Sequence, residues 1–403
     1  MHYSVESIAA PDPHPKVKIV FLCTSLAPGR DGVGDYVRQL AAACGAAGHA
    51  CLLVALNDRH LIGHELVQRG NEVRFAGVLS WSRRATLLGN LLRDFDPHWI
   101  SWQVVPYGFH PKGILPEGCL ALAEVAKPWS NHVMLHELWL GLAREDRLHP
   151  RVIGALQRGK LLNFLRRLRP ACLQTTNDAY QLALARRGWL ADLLPLFGNI
   201  PVAPIDATEA QAALKRIAGD LLPTEPHLIG VIFGTIHPQW QTGPTLEWLE
   251  VAGAHLRRKI CLLAVGRPGA NGAKLLTQLA QQNDGPLIIN LGAQEPETIS
   301  PLLQAADFGI ATHPWELIEK SGTTVALLEH GLPVVVPRDD WQPRDGTLSG
   351  ERDPLLRRLQ DLPLEKLVDW LRLRRPPEAR LTQITANFLA QLTHPGIQGA
   401  LVA

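Results

Sequence analysis

VKIVFLCTSLAPGRDGVGDYVRQLAAACGAAGHACLLVAL, residues 17–56, contains a strand, a Gly-rich loop, a helix and a second strand in that order. Val17–Leu22 is an apolar run that stops at the loop, the pattern of a strand buried on both faces. Tyr36, Val37, Leu40, Ala43 and Cys44 follow at helical spacing, which predicts a helix over 35–47 ended by Gly48. Cys51–Leu56 is the next strand. A strand that returns through a helix to a second buried strand implies a parallel sheet.

The same alternation runs outward from this unit. Strands are expected near Trp99–Val104, His132–Leu135, Ala171–Gln174 and Leu193–Phe197, with helices over 83–93, 117–126, 151–169 and 179–187. It pauses after Asn199, where IPVAPIDATEA reads as a linker. A second series then begins. Its strands are 228–233, 260–265, 286–290, 308–311 and 333–336, and its helices are 245–256, 273–281, 296–305 and 323–330. The tail after Asp353 is expected to be helical. The fold class is therefore α/β with two Rossmann-like doubly wound domains. The expected domains are 1–205 and 206–375, with a C-terminal helix over 376–403 crossing back to the first. Such sheets bind ligands beyond the carboxyl ends of their strands, so the expected site faces a cleft between the domains.

The totals fit this reading. The chain has 403 residues, 46% apolar and 19% charged, which suits two globular cores. No apolar run reaches the roughly 18 residues of a membrane span. The start, MHYSVESIAAPDPHPK, reads as a loose leader rather than a signal peptide. Cys23, Cys44, Cys51, Cys119, Cys172 and Cys261 form no C-x-x-C pair, so reduced thiols in a cytoplasmic protein are expected. A net charge of +2 without a recognition motif argues against nucleic acid as a partner.

PWELIEKSGTTVALLEHGLPVVV, Pro314–Val336, carries the chemistry. A strand ends near Thr312 and a helix starts at Ser321–Thr323, offering free N–H groups and a positive dipole end that suit phosphate. Ser321, Gly322, Thr323 and Thr324 supply amides and hydroxyls, and Lys320 adds a cation beside them. Gly322 and Glu329 share a helix face roughly 10 Å apart along the axis, which suits a diphosphate at one and ribose hydroxyls at the other. The competing account makes Ser321 and Thr323 ordinary caps and Glu329 a surface charge.

This segment resembles the donor-binding signature of retaining GT-B glycosyltransferases of the family 4 type. There a glutamate, seven residues and a second glutamate precede a small residue, Gly and Pro. Glu329 matches the second, followed by His330, Gly331, Leu332 and Pro333; the first falls on Ser321, and Glu316 or Glu319 is left to contact the sugar. The resemblance implies that Glu329 binds the ribose. It extends to Leu291–Pro314, similar to the base loop, with Gln294 beside the base, and to Leu26–Leu56, with Gly32 and Gly34 near the donor phosphates and sugar. In HVMLHELWLG, His136 matches the family's sugar-contacting histidine, with Glu137 beside it.

The second domain departs from the pattern. After Gly234 the family carries an Arg and then a Lys on the diphosphate; here stand Thr235 and then Trp240 or Gln241. His237, Arg267 and Lys320 are the candidate substitutes. G-V-G-D-Y-V lacks the third glycine of the dinucleotide fingerprint. Asp94-Phe95-Asp96 spells a D-x-D metal motif but is expected in a loop, and His60 and His64 are expected on a solvated helix face.

The resemblance implies transfer of a sugar from a nucleotide-diphosphate sugar (UDP, GDP or ADP) to an acceptor hydroxyl with retention. It implies neither metal nor cofactor. His136, Lys320, Glu316 and Glu319 are the catalytic candidates. The acceptor class stays open among glycan, lipid-linked sugar and small molecule, as in bacterial-type glycan or glycolipid synthesis. A non-catalytic nucleotide-sugar-binding protein and a nucleotide-sugar epimerase are the rivals. The helix over 151–170 carries six basic residues and no acidic one, which adds an expectation of peripheral contact with an anionic membrane.

Overall fold

The computed structural model describes residues 16–281, 285–346, 348 and 350–393. The chain divides into two compact units. Residues 16–137, 159–174 and 385–393 form the first, and residues 138–158 and 175–384 the second.

One sheet has the order β3-β4-β2-β1-β5-β6-β7-β8. Its strands are β1 (Lys18–Cys23), β2 (Ala50–Asp58), β3 (Leu66–Arg69), β4 (Glu72–Ala76), β5 (Trp99–Val104), β6 (Ser130–Leu135), β7 (Cys172–Thr175) and β8 (Asp192–Leu193). β1 pairs in parallel with β2 and β5, with Ile19 opposite Cys51 and Trp99. β3 and β4 form an antiparallel hairpin that the apolar pattern did not reveal, because both are short and half-polar. The expected strand over 193–197 shrinks to Asp192–Leu193, since Pro195 cannot donate to a ladder.

The second sheet has the order β11-β10-β9-β12-β13-β14. Its strands are β9 (His227–Phe233), β10 (Lys259–Val265), β11 (Leu287–Gly292), β12 (Phe308–Ile310), β13 (Val334–Val336) and β14 (Leu356–Arg358). Every pairing in it is parallel. Both faces are covered, and alternation along each strand shows it. Ile229, Val231 and Phe233 of β9 join one apolar cluster, while Leu228 and Ile232 join the other.

Four local expectations are corrected. The stretch read as a linker turns helical at Ala207–Ala218, held by a capping box between Asp206 and Glu209. The tail after Asp353 contains β14 before it becomes helical at Leu367–Leu371 and Leu381–Thr393. The end of the last helix, beyond 393, lies outside the described residues. His60 and His64 follow β2 in irregular chain, not on a helix. Asp94 and Phe95, expected in a loop, are instead helical, closing Trp81–Phe95, and Asp96 caps that helix in the left-handed region (φ 48°). All six cysteines are free thiols, and only Cys51 is less than fully buried.

Candidate functional site

The second sheet reverses its winding between β9 and β12, which are neighbours although β10 and β11 lie between them in the chain. A parallel sheet opens a crevice at such a point, beyond the carboxyl ends of the two strands. The loops that leave those ends carry the site. Gly234 turns sharply after β9 (φ +75°), and a Cβ there would stand 2.5 Å from Thr323 Cγ2. The backbone thus passes directly against the start of the helix Gly322–Glu329.

Ser321 caps that helix. Its Oγ accepts the Thr324 amide at 3.3 Å and lies 3.0 Å from Thr323 Oγ1. Ser321 is therefore occupied as a cap, which leaves the Gly322 and Thr323 amides as the open donors of the helix start. Beside Gly322 there is space: a Cβ there would meet nothing within 4 Å.

Basic side chains gather at this place from the three loops that follow β9, β12 and β13. The His237 amide donates to Thr312 Oγ1 at 3.0 Å, tying the loop after β9 to the loop after β12. The His237 and His313 rings meet edge to face at 5.4 Å. Arg338, two residues past β13 and nearly buried, donates from Nη1 to His237 Nδ1 at 2.6 Å. Its Nε and Nη2 pair with Asp340 at 2.9 and 2.7 Å. Lys320 Nζ lies 3.1 Å from the Tyr180 hydroxyl and over that ring. Burial pushes His237 down to about 4, with Arg338 and Lys320 adding to the effect. Burial and the same cations push His313 down to about 3. Both imidazoles are neutral at pH 7, and the fixed positive charge resides on Lys320 and Arg338.

Arg338 and His313 escaped the sequence reading. The available clue was position: ATHP and VPRD each place a basic residue two or three places after a strand end. Nothing local distinguishes them from surface charges.

The other candidates take varied places. Arg267 is exposed, and its carbonyl accepts from Thr235 Oγ1 at 3.4 Å. Gln294 folds back on its own loop, donating to the Leu291 carbonyl at 2.6 Å. Glu329 is buried, and its Oε1 accepts the amides of Gly198 and Arg380 at 3.0 and 3.1 Å. It is therefore not a surface charge. Burial raises its pKa, and those two amides oppose the rise. Glu316 and Glu319 sit in the 3-10 turn Trp315–Lys320, and both are held in ion pairs. Arg352 reaches Glu319 at 2.5 Å, Asp178 at 3.3 Å and Glu316 at 3.5 Å, and Arg358 reaches Glu316 at 3.3 Å. These carboxylates are neutralised within the second unit.

In the first unit, Gly32 and Gly34 lie in the opening turn of the helix Gly32–Ala46 rather than in a free loop. Asp31 Oδ1 accepts the amides of Val33 and Gly34 at 3.0 and 2.9 Å, so those donors are already taken. A Cβ on Gly34 would stand 2.3 Å from the Ser25 carbonyl oxygen, which makes that glycine a packing requirement. His136 follows β6, with Nε2 on Gln103 Oε1 at 2.8 Å and its ring edge-on to Tyr36. Burial pushes it down to about 3.

Cavities alone would mislead. One of about 580 Å³ opens among Arg258, Lys259 and Leu287, at the amino ends of β10 and β11, away from the cationic loops. Another of about 190 Å³ reaches Glu319, Thr324 and Arg380. Among the described residues no helix is long and apolar enough to cross a membrane.

No family model matches the sequence, and no curated protein matches it. Solved structures do resemble it. HepE of Anabaena, solved with UDP and glucose, aligns at 16% identity over 94% of this chain and 97% of its own, with a TM-score of 0.54. The catalytic domain of starch synthase IV from Arabidopsis thaliana, bound to ADP and acarbose, aligns at 12% identity over 94% and 99%, with a TM-score of 0.53. A putative UDP-N-acetylglucosamine 2-epimerase from Listeria monocytogenes aligns at 11% identity over 94% and 96%, with a TM-score of 0.50. At these identities the likeness is one of fold. The chain has the GT-B fold, with two Rossmann-like units.

Proposed function

We propose that this protein is a glycosyltransferase that takes a nucleotide-diphosphate sugar as donor and passes the sugar to an acceptor hydroxyl with retention. The observation that carries the reading is the cationic group at the carboxyl ends of β9, β12 and β13. Lys320, Arg338, neutral His237 and the Gly322 and Thr323 amides converge where a leaving diphosphate needs charge compensation. Arg338 fills the role left open by the missing Arg–Lys pair at Thr235 and Trp240. Glu329 and Gln294 would hold the nucleoside, and His136 the sugar. Catalysis would be electrostatic and positional, with the leaving phosphate accepting the proton of the attacking hydroxyl and no metal needed.

HepE and starch synthase IV support a nucleotide-sugar donor by the ligands in their structures. A thermal-shift screen with UDP, GDP, ADP and dTDP tests the reading: one diphosphate should raise Tm by several degrees at about 100 Kd. No shift with any of them would overturn it.

One observation favours a second reading, a nucleotide-sugar-binding protein without turnover. Glu316 and Glu319, the carboxylates that would place the sugar, are engaged by Arg352 and Arg358. Incubating the bound nucleotide sugar with protein and chromatographing the products separates the readings: transfer or hydrolysis supports the enzyme, unchanged donor the binder, and an isomerised donor the epimerase.

We also propose peripheral contact with an anionic membrane. In the helix Leu148–Leu168, Leu161, Leu162 and Leu165 are buried, but Leu148, Val152 and Leu156 are 74%, 54% and 58% exposed. They stand at i, i+4 and i+8 with exposed Arg147 and Arg151 beside them, an apolar stripe flanked by cations. The protein should sediment with vesicles containing phosphatidylglycerol and not with phosphatidylcholine alone, and Leu148→Ser with Leu156→Ser should abolish that. Equal recovery in both pellets would refute it.

A further inference from the structure

The interior of the first unit holds a continuous chain of five polar side chains. Ser101 and Gln103 lie two residues apart on β5 and share a face; His132 lies opposite Ser101 on β6, and Gln174 on β7. The contacts run in series. Gln103 Oε1 meets His136 Nε2 at 2.8 Å, and Gln103 Nε2 donates to Ser101 Oγ at 2.8 Å. Ser101 Oγ meets His132 Nδ1 at 2.9 Å, and His132 Nε2 meets Gln174 Oε1 at 2.8 Å. Ser101, His132 and Gln174 are fully buried. Filling a sheet interior with polar groups costs stability that apolar residues would not, unless the groups do something together.

With each glutamine amide oxygen turned toward its histidine, the order of donation follows along the chain. Gln174 presents oxygen to His132, so His132 Nε2 carries the proton and Nδ1 accepts. Ser101 must then donate its hydroxyl proton to Nδ1, and it accepts from Gln103 Nε2. Gln103 in turn presents its oxygen to His136, so His136 Nε2 carries the proton. Both amides are placed in the same sense, which leaves Gln174 Nε2 buried without a hydrogen-bond partner at the other end of the chain. The far end is His136 Nδ1, a lone pair that takes no hydrogen bond among the described residues.

We infer that this relay locks His136 as the neutral Nε2–H tautomer, so that Nδ1 accepts a hydrogen from an uncharged hydroxyl, here a sugar hydroxyl. The relay excludes an anionic oxygen at that point, which the lone pair repels. Gln103, Ser101, His132 and Gln174 are positioning residues acting through His136. The choice of a sugar hydroxyl rests on the proposed function; the tautomer does not.

Two measurements on the full chain test this. Long-range 1H–15N correlation at pH 7 should show His136 with Nε2 protonated and Nδ1 bare. Gln103→Leu should scramble that tautomer, while Gln103→Glu, which keeps an acceptor oxygen toward Nε2, should retain the Nε2 proton. Calorimetric titration should show Gln103→Leu weakening UDP-glucose about ten-fold while UDP changes by less than about two-fold. A wild-type His136 protonated on Nδ1, or a tautomer unchanged in Gln103→Leu, would overturn the relay. Equal loss for UDP and UDP-glucose would overturn the sugar-hydroxyl contact. If wild type binds neither probe, the sugar-nucleotide reading fails while the tautomer still decides the relay.

Discussion

Glu329→Ala lowers the stability of the protein by about 3 kcal/mol, read as a fall in the urea midpoint at unchanged m. The carboxylate oxygen Oε1 accepts two backbone amides, from Gly198 and Arg380, segments 131 and 51 residues away in sequence. Alanine leaves both donors without their charged acceptor, one of them buried. Gly198 also packs against the helix backbone, where a Cβ on it would stand 2.9 Å from Ala326 Cα. Glu329→Gln keeps an acceptor oxygen in place and should cost about 1 kcal/mol or less. Equal midpoints for alanine and glutamine would contradict the account. The glutamine variant is also the clean test of the ribose contact: a well-folded Glu329→Gln protein that binds UDP as wild type does would remove Glu329 from the proposed donor site. Glu329→Ala alone cannot serve, since the lost fold and the lost ligand would coincide.

Arg338→Ala weakens UDP binding by about 10- to 100-fold, or about 1.4–2.8 kcal/mol, if the guanidinium compensates the diphosphate. The pH dependence distinguishes a charge role from a merely structural one. In the wild type, His237 is held down to about 4, by burial first and then by Arg338 and Lys320, so it stays neutral from pH 7 to 5. Alanine removes the Arg338 contribution and the donor to Nδ1, so the His237 pKa rises. A raised pKa means more protonated His237 as pH falls from 7 to 5. The variant should therefore regain UDP affinity on acidification, and the wild type should not. Parallel pH profiles, or unchanged UDP affinity in the variant, would exclude Arg338 from the site.

Much of the architecture was legible in residues 17–56 and 314–336. Apolar runs, Gly48, Ser321 and Gly331 are local signals, and each element they mark is present, its ends within three residues of those expected. The failures were also local in origin. β3 and β4 are too short and polar for periodicity to register, and Asp206–Glu209 was an unread capping box inside a Pro-rich stretch. β14 was missed because three residues amid arginines carry no strand pattern of their own.

The site divides differently. The helix start at Ser321–Thr323 could be read because a cap and its helix lie within four residues. The partners of Glu316, Glu319 and Glu329 could not, since they come from Asp178, Gly198, Arg352, Arg358 and Arg380. Whether a carboxylate is available to a ligand depends on who else accepts or donates to it, and that is a property of packing.

The residues 17–56 by themselves determined a strand–helix–strand unit of a buried parallel sheet, because continuous apolar strands and a helix with one apolar face have few other ways to leave water. Only the tertiary structure decided which charges meet. His237, His313, Lys320 and Arg338 come from the three loops that follow β9, β12 and β13, and the strand order β9-β12-β13 brings those loops side by side. In the first unit, the same kind of strand adjacency turned Ser101, Gln103, His132 and Gln174 from scattered polar residues into one relay ending at His136. Hydrogen bonds and ion pairs act over a few ångströms, so a linear pattern cannot specify them until the sheet order has set the distances.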